Sequence, residues 1–167
     1  MALRPTDIPP EHGTYLLTLY ASGPVSLTVG KLGRVRLSPG FYYYTGSAFG
    51  SGGLRARLGR HLRRSKAQRW HIDYLRGKTA LAGAYWLVDD ARLEDLWVGR
   101  LATCEHLKEA VTGFGASDSR RSSHLFYGPE LISLPTLRAL LSPELAGDVS
   151  PRFQKPQDQT YHASGAD

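Results

Sequence analysis

Cysteine is almost absent from this sequence: Cys104 is the single one in 167 residues. That count excludes an intramolecular disulfide and every zinc site built from paired CxxC motifs, and it is ordinary for a reducing compartment. No apolar run is long enough to span a bilayer, and the N-terminus carries prolines among polar residues where a signal peptide has an apolar core. We therefore expect a cytoplasmic protein that does not enter a membrane.

Acidic residues are missing from the stretch where the basic residues concentrate. The chain has a formal net charge of +6. Most of this asymmetry lies in one run with no Asp or Glu: Arg55, Arg57, Arg60, Arg63, Arg64, Lys66 and Arg69. Clustered cations displace counterions from phosphate backbones, so the run favours a nucleic acid as partner, with DNA expected first. The alternative interpretation is a solvated helix face that only keeps the surface wet.

The length of the chain and the changes in composition near its two ends predict one domain. We expect a flexible leader over residues 1–12, a single domain over residues 13–141 and a disordered tail over residues 142–167, where Pro, Gln, Asp, Ser and Gly dominate. The expected fold class is α/β of the α+β kind, with a small, mainly antiparallel or mixed sheet flanked by helices.

The first part of the domain reads as four short strands followed by a helix. Residues 14–20 are apolar on both faces, which predicts a central strand. Residues 25–29 and 35–37 alternate around a glycine-containing turn and predict an antiparallel hairpin. Residues 41–44 are aromatic and predict the fourth strand.

The stretch from Tyr42 to Leu62 organises the rest, since a glycine-rich turn joins its aromatic strand to a basic helix. We expect Ser51 to cap this helix. Its leucines at positions 54, 58 and 62 form one apolar stripe. Arg57 and His61 lie four residues apart on the flank of that stripe, a placement that suits an anionic ligand.

The later elements carry further polar candidates. Residues 70–75 predict a short helix in which Asp73 orients His71, and residues 82–88 predict a strand. Asp89 and Asp90 are expected to cap a helix from Ala91 to about Leu101 that contains Glu94. A further helical segment after Thr103 carries Glu105 and ends at Gly113, a polar loop containing Asp118 and His124 follows, and a last helix is expected over residues 131–141.

Three motifs together carry a resemblance. Tyr15 lies in Gly13-Thr14-Tyr15, Tyr44 in Tyr44-Thr45-Gly46 on a later strand, and Arg57 in the basic helix. Their order and spacing resemble the GIY-YIG nuclease superfamily, over roughly residues 13–127. The segments around Trp70 to Leu75 and Gly113 to Phe126 resemble a compact branch of it that is sometimes joined to endonuclease III-like repair glycosylases.

The resemblance implies a metal-dependent endonuclease that hydrolyses nucleic-acid phosphodiester bonds, with a role in repair or processing. It implies the catalytic set Tyr15, Tyr44, Arg57, His61 and Glu94. Glu94 is the expected ligand of Mg²⁺ or Mn²⁺, with Glu105 as the alternative. Either tyrosine would accept a proton from water, and its phenol would need acidification by Arg57 and the metal. The other cations, with His71, are expected to contact nucleic acid: Arg55, Arg60, Arg63, Arg64, Lys66 and Arg69.

Departures from the family pattern keep other functions open. Threonine replaces isoleucine in both short motifs, extra residues separate Gly46 from Arg57, and Ser119 and Arg121 stand where that branch usually shows cysteines. One alternative is a nucleic-acid-binding module that has lost cleavage. Another is a protein-interaction domain whose positive face meets an acidic partner. The roles of His71, Asp118 and His124 stay open at this point.

Overall fold

The structure, a computed structural model, describes residues 3–63, 67–116 and 121–153. These residues form an antiparallel six-stranded sheet, a separate two-stranded hairpin and four α-helices. The strands are β1 Gly13–Ala21, β2 Val25–Val29, β3 Gly33–Leu37, β4 Gly40–Ala48, β5 Ala80–Val88, β6 Lys108–Glu109, β7 Leu125–Gly128 and β8 Ala146–Val149. The helices are α1 Gly53–Leu62, α2 His71–Arg76, α3 Glu94–Ala102 and α4 Leu134–Leu140. The α+β prediction is confirmed, and every described strand pair is antiparallel.

The central strand is β1, as its apolar character on both faces predicts. The strand order is β6-β7-β4-β1-β5-β8, and β1 pairs along its length with β4 on one side and β5 on the other. Tyr15 lies directly opposite Gly46 in this register. Neighbouring strands therefore bring the two tyrosine motifs to the same end of the sheet.

Two cores cover the two faces of the sheet. We call the face that carries Tyr15, Leu17 and Tyr44 the first face; it packs against α1, α2 and the hairpin of β2 and β3. The second face carries Leu16 and Tyr43 and packs against α3 and α4. Successive side chains of a strand point to opposite faces, which is why adjacent residues of one strand enter different cores.

Both predicted ends of the domain need correction where the structure describes them. The expected flexible leader is packed at residues 3–12: Ile8 is fully buried, and the carbonyls of Pro9 and Glu11 accept hydrogen bonds from the first turn of α1. The expected disordered tail is wrong for residues 142–153, because β8 pairs with β5 and a 3-10 turn, Pro151–Phe153, follows it. Burial of Ile8 and hydrogen bonds to α1 order the first segment, and pairing of β8 with β5 orders the second. The polar composition of the two segments does not reveal these contacts.

Several local predictions also differ from the structure. Gly52, with a positive φ, precedes α1 in place of Ser51. The helix α3 begins at Glu94, and Asp89 caps a turn by accepting from the amide of Ala91. The helix predicted after Thr103 is absent from the described chain there, where turns lead into β6 instead. Pairing of β6 with β7 outweighs the local helical preference of that segment. No helix within the described ranges has the length and hydropathy needed to cross a bilayer.

Candidate functional site

The glycines of the two short motifs are required by close packing. A Cβ added at Gly46 would lie 2.3 Å from the Tyr15 hydroxyl oxygen, which rests against this glycine. A Cβ at Gly13 would lie 2.2 Å from the Leu87 carbonyl and 2.7 Å from Leu54. The residue types of the motifs therefore follow from the approach of Tyr15 to β4 and of α1 to β1.

Tyr15, Tyr44 and His61 meet on the first face of the sheet. The Tyr15 hydroxyl and His61 Nε2 share a buried hydrogen bond of 2.9 Å. The rings of Tyr15 and Tyr44 lie 6.5 Å apart. Because His61 lies two helical turns after Leu54, the leucine stripe that anchors α1 also holds its imidazole against β1. The structure thus brings these three predicted site residues together on one face.

Burial keeps both phenols of the site neutral at physiological pH. Burial raises the pKa of Tyr15 well above its usual range, and the neighbouring Tyr44 adds to this, whereas Arg57 opposes it through charge and a side-chain hydrogen bond. Burial likewise raises the pKa of Tyr44, with Glu94 adding to the rise and Arg57 opposing it. The expected acidifying influence of Arg57 is present, but desolvation outweighs it.

Arg57 lies on a platform formed by Trp70. Its guanidinium carbon lies 4.3 Å from the centre of the Trp70 ring, and that of Arg60 lies 4.7 Å away. Arg60 also donates to Asp73 Oδ2 at 2.8 Å. Asp73 in turn accepts from the amides of Arg69 and Trp70. Burial opposes ionisation of Asp73, but these hydrogen bonds and Arg60 together lower the pKa of its carboxyl. Arg60 therefore pairs with the carboxylate that caps the start of α2. Arg57 lies beside Arg60 on the same Trp70 ring.

Glu94 joins the site from the start of α3. One carboxylate oxygen, Oε2, accepts a short hydrogen bond from Ser47 Oγ, and the other, Oε1, lies 2.7 Å from His124 Nδ1. Its side chain is 25% exposed, and that of His124 is 2% exposed. Glu94 and Tyr44 line the same cleft, whereas Glu105 lies in an exposed turn after α3 and does not line it.

The surroundings of Glu94 fit a hydrated divalent cation. No Lys or Arg in the described part of the chain forms an ion pair with this carboxylate. The same residues contain no group of three His, Cys, Asp or Glu side chains that could hold a metal. Mg²⁺ commonly takes one or two protein carboxylates and keeps several waters, so a single anchored carboxylate at an open cleft suits it.

A cleft of about 440 Å³ is lined by Tyr44, Trp70 and Glu94 of these groups. Its walls carry side chains of both signs and several aromatic rings: Tyr44, Ser47, Arg69, Trp70, His71, Arg92, Glu94, Asp95 and His124. A shallower groove of about 310 Å³ lies alongside the start of α1, contains Arg57, and shares Arg69 and Trp70 with the cleft. The two concavities are therefore adjacent, and their combined chemistry suits an anion held near a carboxylate.

His71 faces the cleft in one tautomer. Its Nδ1 accepts a hydrogen bond of 2.9 Å from the Gly115 amide, which leaves the proton on Nε2. Burial lowers the pKa of His71. The expectation that Asp73 orients His71 is wrong in this respect, because the Gly115 amide fixes the ring nitrogen. His71 is a neutral hydrogen-bond donor at physiological pH.

The predicted nucleic-acid contacts divide into several groups. Arg69 is exposed and lines the cleft. Arg63 is exposed at the end of α1. Arg55 donates to the Ile8 carbonyl and secures the N-terminal segment, and Arg60 belongs to the Asp73 pair. Arg64, Lys66, Asp118 and Ser119 lie outside the described residues.

Sequence reasoning missed some members of the site. Ser47 was recognisable only as the residue after Tyr44-Thr45-Gly46, and nothing in its spacing indicates that it bonds Glu94. Trp70 was read as part of a short helix without the two arginines stacked on it. Arg92 reaches the cleft while its guanidinium lies 4.6 Å from the Phe49 ring centre. His124 was recognised as an open candidate, and the structure places it against Glu94.

Comparison with known proteins places the chain in a family. It belongs to the family described as domain of unknown function DUF123, whose model matches residues 14–141. That range runs from the second residue of β1 to just beyond α4 and includes Tyr15, Tyr44, Arg57, His61 and Glu94. No curated protein and no solved structure matches the chain.

Proposed function

We propose that this chain, as a member of that family, is a divalent-metal-dependent endonuclease of the GIY-YIG type that hydrolyses phosphodiester bonds of nucleic acid, with DNA as the first candidate. The observation that carries the proposal is the convergence of Tyr15, Tyr44, Arg57, His61 and Glu94 at one end of the central strands. These side chains come from β1, β4, α1 and α3. Their meeting supplies, in one place, groups for the anion, the nucleophile and the metal.

Glu94 is the metal ligand in this proposal. Ser47 and His124 hold its carboxylate from two sides, so it reaches the cleft with little rotational freedom. When bound there with waters, Mg²⁺ or Mn²⁺ supplies Lewis-acid neutralisation of phosphate charge and of the leaving oxygen. Glu94 and its two partners therefore act by orienting one hard oxygen ligand toward the substrate.

Arg57 binds the scissile phosphate. Its guanidinium is always charged and presents a planar fork that matches two phosphate oxygens, which a lysine cannot reproduce. The Trp70 ring supports its flat face. Because the site is partly desolvated, this positive charge stabilises the extra charge of the pentacoordinate phosphorus more than it would in water.

The pair of Tyr15 and His61 takes the proton of the attacking water. A neutral Tyr15 cannot act as a tyrosinate, but its oxygen can accept a proton from water while its own proton passes to His61 Nε2. Tyrosine stays a phenol throughout, and the imidazole carries the proton. Tyr44, also a neutral phenol, lines the cleft and orients the water or a phosphate oxygen by hydrogen bonding.

The test is a cleavage assay with labelled single-stranded, duplex and branched DNA and with RNA, in Mg²⁺ or Mn²⁺ and in EDTA. Wild-type protein is compared with Arg57→Ala and with Glu94→Gln, which keeps the shape of the side chain and removes its charge. Glu105→Gln is the matched control, since Glu105 is exposed and does not line the cleft. We expect cleavage that requires metal, Arg57 and Glu94 and that tolerates Glu105→Gln. Intact strands with salt-sensitive retention in EDTA would instead identify a nucleic-acid-binding module.

A further inference from the structure

A second concave surface lies on the hairpin of β2 and β3, outside the cleft. The inner face of the hairpin is apolar: Leu27, Val29, Val35 and Leu37 are buried in the first-face core. The outer face carries only hydroxyls and cations, because Ser26 pairs with Arg36 and Thr28 with Arg34 across the strands. All four of these side chains are exposed.

The outer face is part of a hollow of about 400 Å³. Helix α2, which packs against β2, supplies a second wall with Tyr74, and Lys78 follows just beyond the helix. Gln68 closes a further side. A surface that only blocks edge pairing needs exposed charges but no concavity. The concavity is therefore a feature that protection of the sheet edge does not explain.

No residue in the described part of the chain forms an ion pair with the cations of this hollow, Arg34 and Lys78. None of its described lining residues is acidic. Side-chain donors surround the cations: the hydroxyls of Ser26, Thr28 and Tyr74 and the amide of Gln68. Phosphate oxygens accept from all of these groups, and polar side chains of these types make phosphate contacts in nucleic-acid complexes.

The hollow and the cleft are lined by consecutive residues of one segment. Gln68 lines the hollow, whereas the next two residues, Arg69 and Trp70, line the cleft. Consecutive Cα atoms are about 3.8 Å apart, so the backbone positions that line the two concavities are neighbours. A strand that leaves the cleft past the exposed Arg69 would therefore come next to Gln68 and the hollow.

We propose that the hollow between the β2–β3 hairpin and α2 binds the phosphodiester backbone of the nucleic-acid strand next to the part that enters the cleft. The inference rests on the proposed function, because that function supplies the strand, but it assigns contacts that cleavage itself does not use. The contacts are to phosphate and therefore independent of base sequence. Contacts in the hollow would lengthen the segment of the strand that the protein binds, and they would orient the strand from the cleft toward the β2–β3 hairpin.

The test measures binding in EDTA, separately from cleavage. A fluorescein-labelled single-stranded oligonucleotide several times longer than the cleft is titrated by anisotropy over a series of salt concentrations. The variants are Arg34→Ala, Lys78→Ala and Arg34→Lys. The matched control is Arg152→Ala, which removes one exposed cation from the 3-10 turn after β8. Because these side chains are exposed, all variants are expected to keep the melting temperature of the wild type.

The expected result is a weaker and less salt-dependent complex for the hollow variants. Loss of one phosphate contact lowers the slope of log K against log salt by about 0.7 for a single strand. We expect this change for Arg34→Ala and Lys78→Ala, a partial return for Arg34→Lys and no change for Arg152→Ala. Equal behaviour of Arg34→Ala and Arg152→Ala would overturn the assignment of the hollow while leaving the endonuclease untouched.

The remaining outcomes separate the two proposals. Arg34-dependent binding without any metal-dependent cleavage supports the hollow and contradicts the endonuclease. A wild-type protein with no salt-sensitive binding to DNA or RNA overturns both. A labelled polyglutamate peptide forms a further arm: if Arg34 governs its binding and not that of the oligonucleotide, the hollow accepts an acidic protein and the nucleic-acid assignment is wrong.

Discussion

The two faces of the central sheet contain tyrosines that are alike in burial and different in their partners. Tyr15 on the first face is 1% exposed and Tyr43 on the second is 0% exposed, and burial raises the pKa of both. The Tyr43 hydroxyl accepts from the Ile132 amide at 2.8 Å and donates to the Glu130 carbonyl. The Tyr15 hydroxyl instead bonds the imidazole of His61.

The difference shows that burial and an altered pKa do not by themselves identify a functional tyrosine. On the second face, the Tyr43 hydroxyl forms hydrogen bonds with the backbone of the loop that precedes α4. The first face surrounds its phenols with titratable or charged side chains: His61, Arg57 and Glu94. The faces differ in the elements that cover them. Helix α1 brings Arg57 and His61 to the first face, and Glu94, at the start of α3, acts on the same phenols from the end of the sheet. The rest of α3 and α4 packs mainly apolar side chains on the second face.

Removing one hydroxyl from each face is the strongest test of this comparison. Tyr15→Phe breaks the proposed proton path and should lower the cleavage rate by about 10²–10⁴-fold, the usual contribution of acid–base catalysis. Tyr43→Phe leaves the Ile132 amide unpaired and should cost about 1–3 kcal/mol of stability with cleavage retained. Rates at saturating metal and urea unfolding of both variants measure the two effects. Comparable losses of rate in folded Tyr15→Phe and Tyr43→Phe would contradict the distinction.

Arginines on the two faces give the next contrast. Arg57→Ala, and also Arg57→Lys, should reduce the cleavage rate by about 10²–10³-fold, because the planar guanidinium stabilises the charged transition state. Arg100 donates to the Leu141 carbonyl on the second face at 2.6 Å, and Arg100→Lys should leave the rate unchanged. Single-turnover cleavage of the preferred substrate measures both. Full activity of Arg57→Lys would show that charge alone suffices there.

A smaller effect is expected from the partners of Glu94. Ser47→Ala removes one hydrogen bond to the carboxylate, and loss of such an orienting partner typically weakens metal affinity by about 10–100-fold. Ser22→Ala, in the exposed turn after β1, is the control. Calorimetric titration with Mn²⁺ reports affinity without any cleavage step. Unchanged affinity in Ser47→Ala would mean that the carboxylate is held by His124 alone or does not bind the ion.

The smallest effect concerns pH and stability of the first face. Asp73 is the one buried carboxylate in the described part of the chain, and its pKa is lowered despite burial, by backbone amides and Arg60. Because the pKa of Asp73 is lower in the folded protein, the ionised carboxylate stabilises the fold. This stabilisation is fully present above the pKa of the unfolded chain, about 3.9, and is lost as the pH falls through the pKa of the folded protein. The gap in unfolding free energy between wild type and Asp73→Asn should therefore narrow below about pH 4. Urea unfolding at a series of pH values measures this difference in unfolding free energy. A difference that does not change with pH would exclude the ionised Asp73–Arg60 pair as its cause.

Much of the first face could be predicted from the sequence because its signals are local. The apolar residues on both faces of β1 predicted its central place, and the leucine stripe of α1 predicted Arg57 and His61 on one flank. The close packing that requires Gly13 and Gly46 is seen only in the structure. By contrast, polar composition predicted a flexible leader and a disordered tail. The leader instead forms hydrogen bonds with α1, and the start of the tail forms β8, which pairs with β5.

The sequence by itself determined the order of the elements from β1 to α3, the tyrosine motifs and the position of the basic run, since these depend on patterns over a few residues. Only the tertiary structure placed Glu94 and not Glu105 in the cleft, brought Ser47 and His124 to the Glu94 carboxylate, and paired Arg60 with Asp73 while Arg57 stacks beside it on Trp70. Those choices depend on contacts between side chains that are far apart along the chain. Local propensity carries no information about such pairings, because they arise when packing of the whole sheet brings the elements together.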